Sequence, residues 1–299
     1  MLPFTLPPNP AGLAPCLASL LLGLAAGSFL NVCIHRMPRG ESVVHPRSRC
    51  PHCGRSIHAW DNIPVLSWIL LRARCRACGQ NISPRYPMVE IGTAALFLGC
   101  WLRFHPVWVA AFWALFCFLL LGLSLMDAES FLLPDRFTLP GLFLGLIFDG
   151  ARGFAAAGPG SGRFALLGGL RAVLWASLEA AAAAGLLLLL MGAYWLLRRR
   201  AGMGGGDVKL TAMLVAWLGP ALTALAFFAA VAAGALYGLA LIAARRRRAT
   251  PALPPTAGPN PGSDSGPTMI PFGAFLSAAA LYSLFAGGGA LRWYLRFFP

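Results

Sequence analysis

A chain of 299 residues that is 58% hydrophobic and 11% charged is far from the composition of a soluble domain, where about 25% of residues carry charge. Its mean hydropathy of +0.69 and its apolar runs near the roughly 20 residues that cross a bilayer exclude a large soluble core and indicate an all-α polytopic membrane protein. The net charge of +14 could suggest nucleic acid, but it sits in arginine clusters between those runs, which fits cytoplasmic loops better.

In chain order, residues 1–11 form a proline-rich tail. No basic region or small-residue cleavage site accompanies the first apolar run, Leu13 to Ile34, so it reads as a retained span. Residues 35–87 are the one sizeable polar segment, with nine arginines and four cysteines. Spans are expected near Met88–Phe104, Val107–Met126 and Phe137–Phe148, and another near 172–196 ahead of Arg198, Arg199 and Arg200. Val208–Leu218 is too short to cross alone. Gly219-Pro220 breaks it from Ala221–Ala244, so the two read as a hairpin with a short arm. Residues 249–268 have the composition of a flexible linker, and Ile270–Leu291 is the last span. The expected architecture is about eight transmembrane helices in three parts. These are residues 1–34 (tail and first span), a cytoplasmic metal domain at 35–87, and a membrane domain at 88–299 that contains the linker.

Charge sets the expected orientation. With the N-terminus outside, the cytoplasmic loops hold 18 of the 24 Lys and Arg residues, in agreement with the positive-inside rule. Arg152, Arg163 and Arg171 fit this least well. The same parity puts Asp127 and Asp207 at span ends on the cytoplasmic side, together with the cysteine segment.

Two constellations carry chemistry. Ionisable residues at membrane depth are costly and suggest function by default. A pair of carboxylates can activate water, one as base and the other, protonated, polarising a carbonyl. Gly204-Gly205-Gly206-Asp207-Val208-Lys209 supplies one acid beside backbone that another chain can approach closely. Asp127, Glu129 and Asp135 are all candidates for the second, and their spacing does not choose among them. Each is equally readable as an interfacial cap or loop charge, and Asp207 as a helix N-cap. The second constellation is Cys50-Pro-His-Cys53 and Cys75-Arg-Ala-Cys78, two C-x2-C knuckles separated by 21 residues. That spacing suits a four-thiolate structural Zn2+ site, and metal would supply folding energy to a polar segment with little core. Two disulfides are the rival reading, which a reducing compartment disfavours. His52 is expected to be exposed, and Cys16, Cys33, Cys100 and Cys117 to behave as small buried hydrophobes. Asn31 and Glu90 bracket the cysteine segment. They are expected to pair with each other or with arginines, or to line a polar pocket.

These residues together resemble the bacterial prepilin peptidases, the type IV leader peptidase family. The resemblance runs through Gly27-Ser28-Phe29-Leu30-Asn31-Val32, Arg36-Met37-Pro38-Arg39-Gly40-Glu41-Ser42, the cysteine knuckles around Asn62-Ile63-Pro64 and Ser67-Trp68, and Pro84-Arg85-Tyr86-Pro87-Met88-Val89-Glu90. It continues through Asp127 with Leu133-Pro134-Asp135, the Gly204–Lys209 stretch and Pro271-Phe272-Gly273. The resemblance implies Asp127 and Asp207 as catalytic aspartates, with Asp135, Glu90, Gly204, Gly206 and Lys209 in support. It implies cleavage of type IV prepilins or type II secretion pseudopilins at the cytoplasmic face of the bacterial inner membrane. It also implies N-methylation of the new terminus from S-adenosyl-L-methionine, although segment 35–87 is too short for a doubly wound nucleotide domain. Lys209 and the positive end of its helix are expected to favour an ionised Asp207, leaving Asp127 to hold the shared proton. The rival readings are a transporter that uses Asp127 and Asp207 as ion-binding acids, and a membrane-anchored zinc ribbon for nucleic acid.

Overall fold

The computed structural model describes residues 12–158, 162–199, 203–248 and 270–296. Helices dominate: α1 (Leu13–Arg36), short α2 (Leu66–Leu70), α3 (Arg85–Arg103), α4 (Val107–Ser130), α5 (Asp135–Ala156), α6 (Arg163–Arg198), α7 (Gly205–Arg248), and α8 (Phe272–Tyr282), which runs through a π-turn into α9 (Gly288–Leu295). Six of these segments are long and apolar enough to cross a membrane. The expected linker at 249–268 and the tail at 1–11 lie outside the described residues.

Helix α7 contains the expected break. Gly219 adopts φ 76°, ψ 169°, a conformation that L side chains avoid, and Pro220 cannot continue the helical ladder. The helix reverses there. Its first arm starts with Gly206 against Leu133, while the second arm places Leu222 and Leu225 on Gly287 and returns until Gly238 meets Ile270. Counting the arms separately and including α3 gives eight long helical segments among the described residues. Helix α3 falls outside the six because Arg85, Glu90 and Arg103 dilute its 19 residues.

Close helix approach fixes the rest. Gly23 and Gly27, one turn apart on α1, abut α3 so tightly that an added Cβ would lie 2.5 Å from Ala94 Cα and 2.6 Å from Glu90 Cα. Small residues at this spacing let membrane helices pack backbone to backbone. At the end remote from the cysteines, Trp217 of the short arm stacks on Phe116 and Phe148 at centroid distances of 4.8 and 5.3 Å. Its indole N–H donates to the Gly141 carbonyl at 2.7 Å, so the polar edge of this aromatic cluster is satisfied. At the same end, the ill-fitting Arg152 is compensated by Asp149 at 3.3 Å and by the face of Phe148.

The segment between α1 and α3 has almost no regular structure, only short helical turns and two isolated bridges, Arg49 with Ser56 and Arg74 with Asn81. Each bridge closes one knuckle. Cys50 N–H donates to Arg55 O and Gly54 N–H to Cys50 O, and the pattern repeats at Cys75, Gln80 and Gly79. Gly54 and Gly79 sit at φ 68° and 71°, the left-handed turn each knuckle needs.

Candidate active site and metal centre

Asp127 lies in the last turn of α4, which ends where Phe131 turns left-handed and donates its N–H to Asp127 O. Asp207 lies in the first turn of α7, its N–H on Gly204 O at 3.1 Å, so it follows the helix start instead of capping it. Both side chains are buried, at 6% and 8% exposure, and the two carboxylates are within electrostatic reach of each other. Leu133 is their common neighbour. It packs on Gly206 beside Asp207 and on Gly273 beside Asp127. The start of α8 completes the site: Ala274 N–H donates to Asp127 Oδ2 at 2.8 Å, and Ser124 Oγ donates to Ala274 O at 3.2 Å. A Cβ at Gly273 would lie 3.1 Å from Asp127 Oδ2 and 2.9 Å from Leu133 Cδ1, so only glycine fits without displacement. Gly205 faces open space, and a Cβ on Gly204 would come 3.6 Å from Asp207 Oδ2.

Two expected pairings come out differently. Lys209 donates to Asp135 Oδ1 at 2.6 Å and so forms no bond with Asp207. Residues two apart on a helix do not face each other, and Lys209 is exposed where Asp207 is buried. Asp135, the first residue of α5, spends its carboxylate on that ammonium. Asn31 and Glu90 also take other partners. Asn31 Nδ2 donates to Tyr86 O at 3.1 Å, and Glu90 Oε2 accepts from Val65 N–H at 2.7 Å. Glu90 therefore belongs to the cysteine segment and not to the aspartate pair. Glu129 pairs with Arg85 at 3.0 Å. Residue spacing alone gave no role to Leu133, Ser124 or the Ala274 N–H. Ser124 sits three residues before Asp127, a spacing that shares a helix face, and was the one local signal available.

The four cysteine sulfurs of the knuckles lie within 4.8 Å of one another, and Cys50 Sγ is 3.9 Å from Cys78 Sγ. A tetrahedral ion with sulfurs at about 2.3 Å needs sulfur separations of about 3.8 Å, so the cluster has metal-site dimensions. All eight cysteines are free thiols, which removes the disulfide alternative from this structure. Backbone N–H groups of Cys78 and Ala77 lower the Cys75 thiol to about 7, whereas Cys78, despite a backbone hydrogen bond at Gln80, is raised to about 11 by desolvation and by the neighbouring sulfurs. His52 is exposed and outside the cluster. Cys33, Cys100 and Cys117 are buried as expected, and Cys16 is half-buried.

Comparison with known proteins matches residues 21–104 to the bacterial peptidase A24 N-terminal domain and residues 113–239 to the type IV leader peptidase family. The chain belongs to that family. It is 35% identical to a prepilin leader peptidase/N-methyltransferase of Aeromonas hydrophila over 92% of each chain. Relatives of the same name from Stutzerimonas stutzeri and Pseudomonas aeruginosa are 34% and 33% identical, each aligned over 95% of both chains. No solved structure shows a significant match. The transporter reading finds no support among these relatives.

Proposed function

We propose that this protein is an intramembrane aspartyl endopeptidase. It removes the leader of type IV prepilins or type II secretion pseudopilins at the cytoplasmic face of the bacterial inner membrane, then methylates the new N-terminal amine. The observation that carries the reading is the buried Asp127–Asp207 pair, assembled by three helices distant in sequence within a chain of the leader peptidase family.

The chemistry follows from the arrangement. Asp127 Oδ2 already accepts the Ala274 N–H, which fixes the carboxyl rotamer and leaves Oδ1 for the shared proton or the water. Asp207 sits where the positive end of α7 favours an acid. One aspartate takes a proton from water as it attacks the scissile carbonyl, while the other donates to the developing oxyanion, and no covalent intermediate forms. The open side of Gly204 and Gly205 gives the extended substrate backbone its approach, and Leu133 holds Gly206 in place behind it. Lys209 and Asp135 brace the start of α7 against the start of α5.

Cys50, Cys53, Cys75 and Cys78 would hold a structural Zn2+, which supplies folding energy to the segment. S-adenosyl-L-methionine, when bound, supplies an electrophilic methyl group. The test is to incubate the purified protein with a prepilin and the methyl donor and take intact masses. Loss of the leader plus one methyl supports both activities, and loss of the leader alone restricts the reading to the peptidase. An uncut prepilin across several substrates in lipid contradicts the proposal.

A further inference from the structure

A cavity of about 700 Å³ lies between the cysteine segment and the ends of α1 and α3, lined among others by Ser28, Asn31, Val65, Trp68, Tyr86 and Glu90. Its size is that of a small-ligand site. Two features of its wall have no internal explanation. Asn31 is 3% exposed, and because its Nδ2 donates to the Tyr86 carbonyl, its Oδ1 is fixed as an acceptor, yet that atom has no partner. Buried polar atoms are nearly always bonded, so an orphan acceptor on a residue of the cavity wall points to a missing donor.

On the same wall, the Glu90 carboxylate is 7% exposed and is in no ion pair among the described residues. The Val65 N–H donates to it at 2.7 Å, which leaves acceptor capacity on a group with about four lone-pair sites. Five arginines line the cavity, and none of them pairs with Glu90: Arg36 bonds the Ser42 and Arg47 carbonyls, Arg76 pairs with Asp61 at 2.7 Å, Arg85 pairs with Glu129 at 3.0 Å, and Arg49 and Arg55 form no ion pair among the described residues. A buried carboxylate without a counter-ion is costly unless a ligand supplies the charge. The backbone is also strained at this point: Val65, a β-branched residue, sits at φ 60°, ψ −49°, and its N–H is the one that orients Glu90. Such conformations persist where the surroundings impose them and gather at ligand sites.

We infer that this cavity binds a primary α-ammonium group, with the Glu90 carboxylate and Asn31 Oδ1 as its acceptors. The wall offers a negative charge and an uncharged acceptor, and an ammonium brings one charge and three donors. The inference rests on the proposed peptidase and methyl-transfer reading for its two sources of that group. One is the methionyl end of S-adenosyl-L-methionine, and the other is the N-terminus of the freshly cut chain.

Calorimetry on the full-length protein in detergent tests it, with S-adenosyl-L-methionine and a short apolar peptide bearing a free α-amine titrated separately. The N-acetylated peptide is the control. Glu90→Gln keeps an acceptor for Val65 N–H and removes the charge. It is expected to weaken one of the two ligands at least tenfold, and the ligand affected identifies the source. Asn31→Leu is expected to weaken the same ligand severalfold. Melting temperature and zinc content report whether each variant folds, and if Asn31→Leu does not, Glu90→Gln decides alone. Unchanged affinity for both ligands in folded Glu90→Gln overturns the inference, as does a wild-type protein that cleaves prepilin and binds neither ligand. A wild-type protein that neither cleaves nor binds overturns the functional reading beneath it.

Discussion

The aspartate pair and the cysteine cluster are built in opposite ways. Each cysteine knuckle closes within about one turn of chain, through two backbone hydrogen bonds and one left-handed glycine. It has little apolar core and depends on what its sulfurs hold. The aspartate pair has no local frame at all. Asp127, Asp207 and Gly273 come from three helices and meet only because the whole bundle packs, with Leu133 between them. Metal removal should therefore damage one centre and spare the other, whereas a misplaced helix should do the reverse.

Ranked by effect on leader cleavage, the aspartates come first. Asp127→Asn and Asp207→Asn should each lower the rate by roughly three orders of magnitude, as expected when general acid–base chemistry is lost, with zinc content unchanged. Time courses of prepilin processing measure this. Gly273→Val comes next. Its Cβ would meet Asp127 Oδ2 at 3.1 Å and Leu133 Cδ1 at 2.9 Å, and a displacement of about 1 Å at a reacting group costs about a hundredfold. A drop under twofold would mean that the start of α8 does not position Asp127.

Chelation, or Cys75→Ser, sharpens the contrast from the other side. Limited proteolysis should show residues 35–87 opening, because structural zinc contributes about 10 kcal/mol or more of apparent folding energy. Cleavage should fall less than tenfold, while methylation disappears. Lys209→Met is expected to be the mildest. The Lys209–Asp135 pair is exposed on both sides, and such pairs contribute about 0–1 kcal/mol. Cleavage should stay within about fivefold, and a thermal melt should move by a few degrees at most.

The same contrast explains what the sequence revealed. The cysteine knuckles were legible because their chemistry is local, and a C-x2-C spacing is already a piece of geometry. The hairpin in α7 was legible for the same reason, since Gly219-Pro220 is a break written in adjacent residues. The second acid was not legible from spacing, because Asp127, Glu129 and Asp135 differ only in partners brought from elsewhere. Arg85 takes Glu129, Lys209 takes Asp135, and Ala274 N–H reaches Asp127. Lys209 turns to Asp135 and not to Asp207 because residues two apart on a helix do not face each other. Glu90 and Asn31 were legible as polar residues that bracket the cysteine segment, but their meeting on one cavity wall needed the packing of α1 on α3.

The most direct test of two separately built centres gives the Asp207→Asn protein two substrates, an intact prepilin and a pilin already freed of its leader, each with S-adenosyl-L-methionine. Intact masses of the products are read. The account requires the prepilin to remain uncut and the pre-cleaved pilin to gain one methyl. A cut prepilin would remove Asp207 from the catalytic pair, and a pre-cleaved pilin left unmethylated by the folded variant, but methylated by wild type, would mean that the two centres work as one.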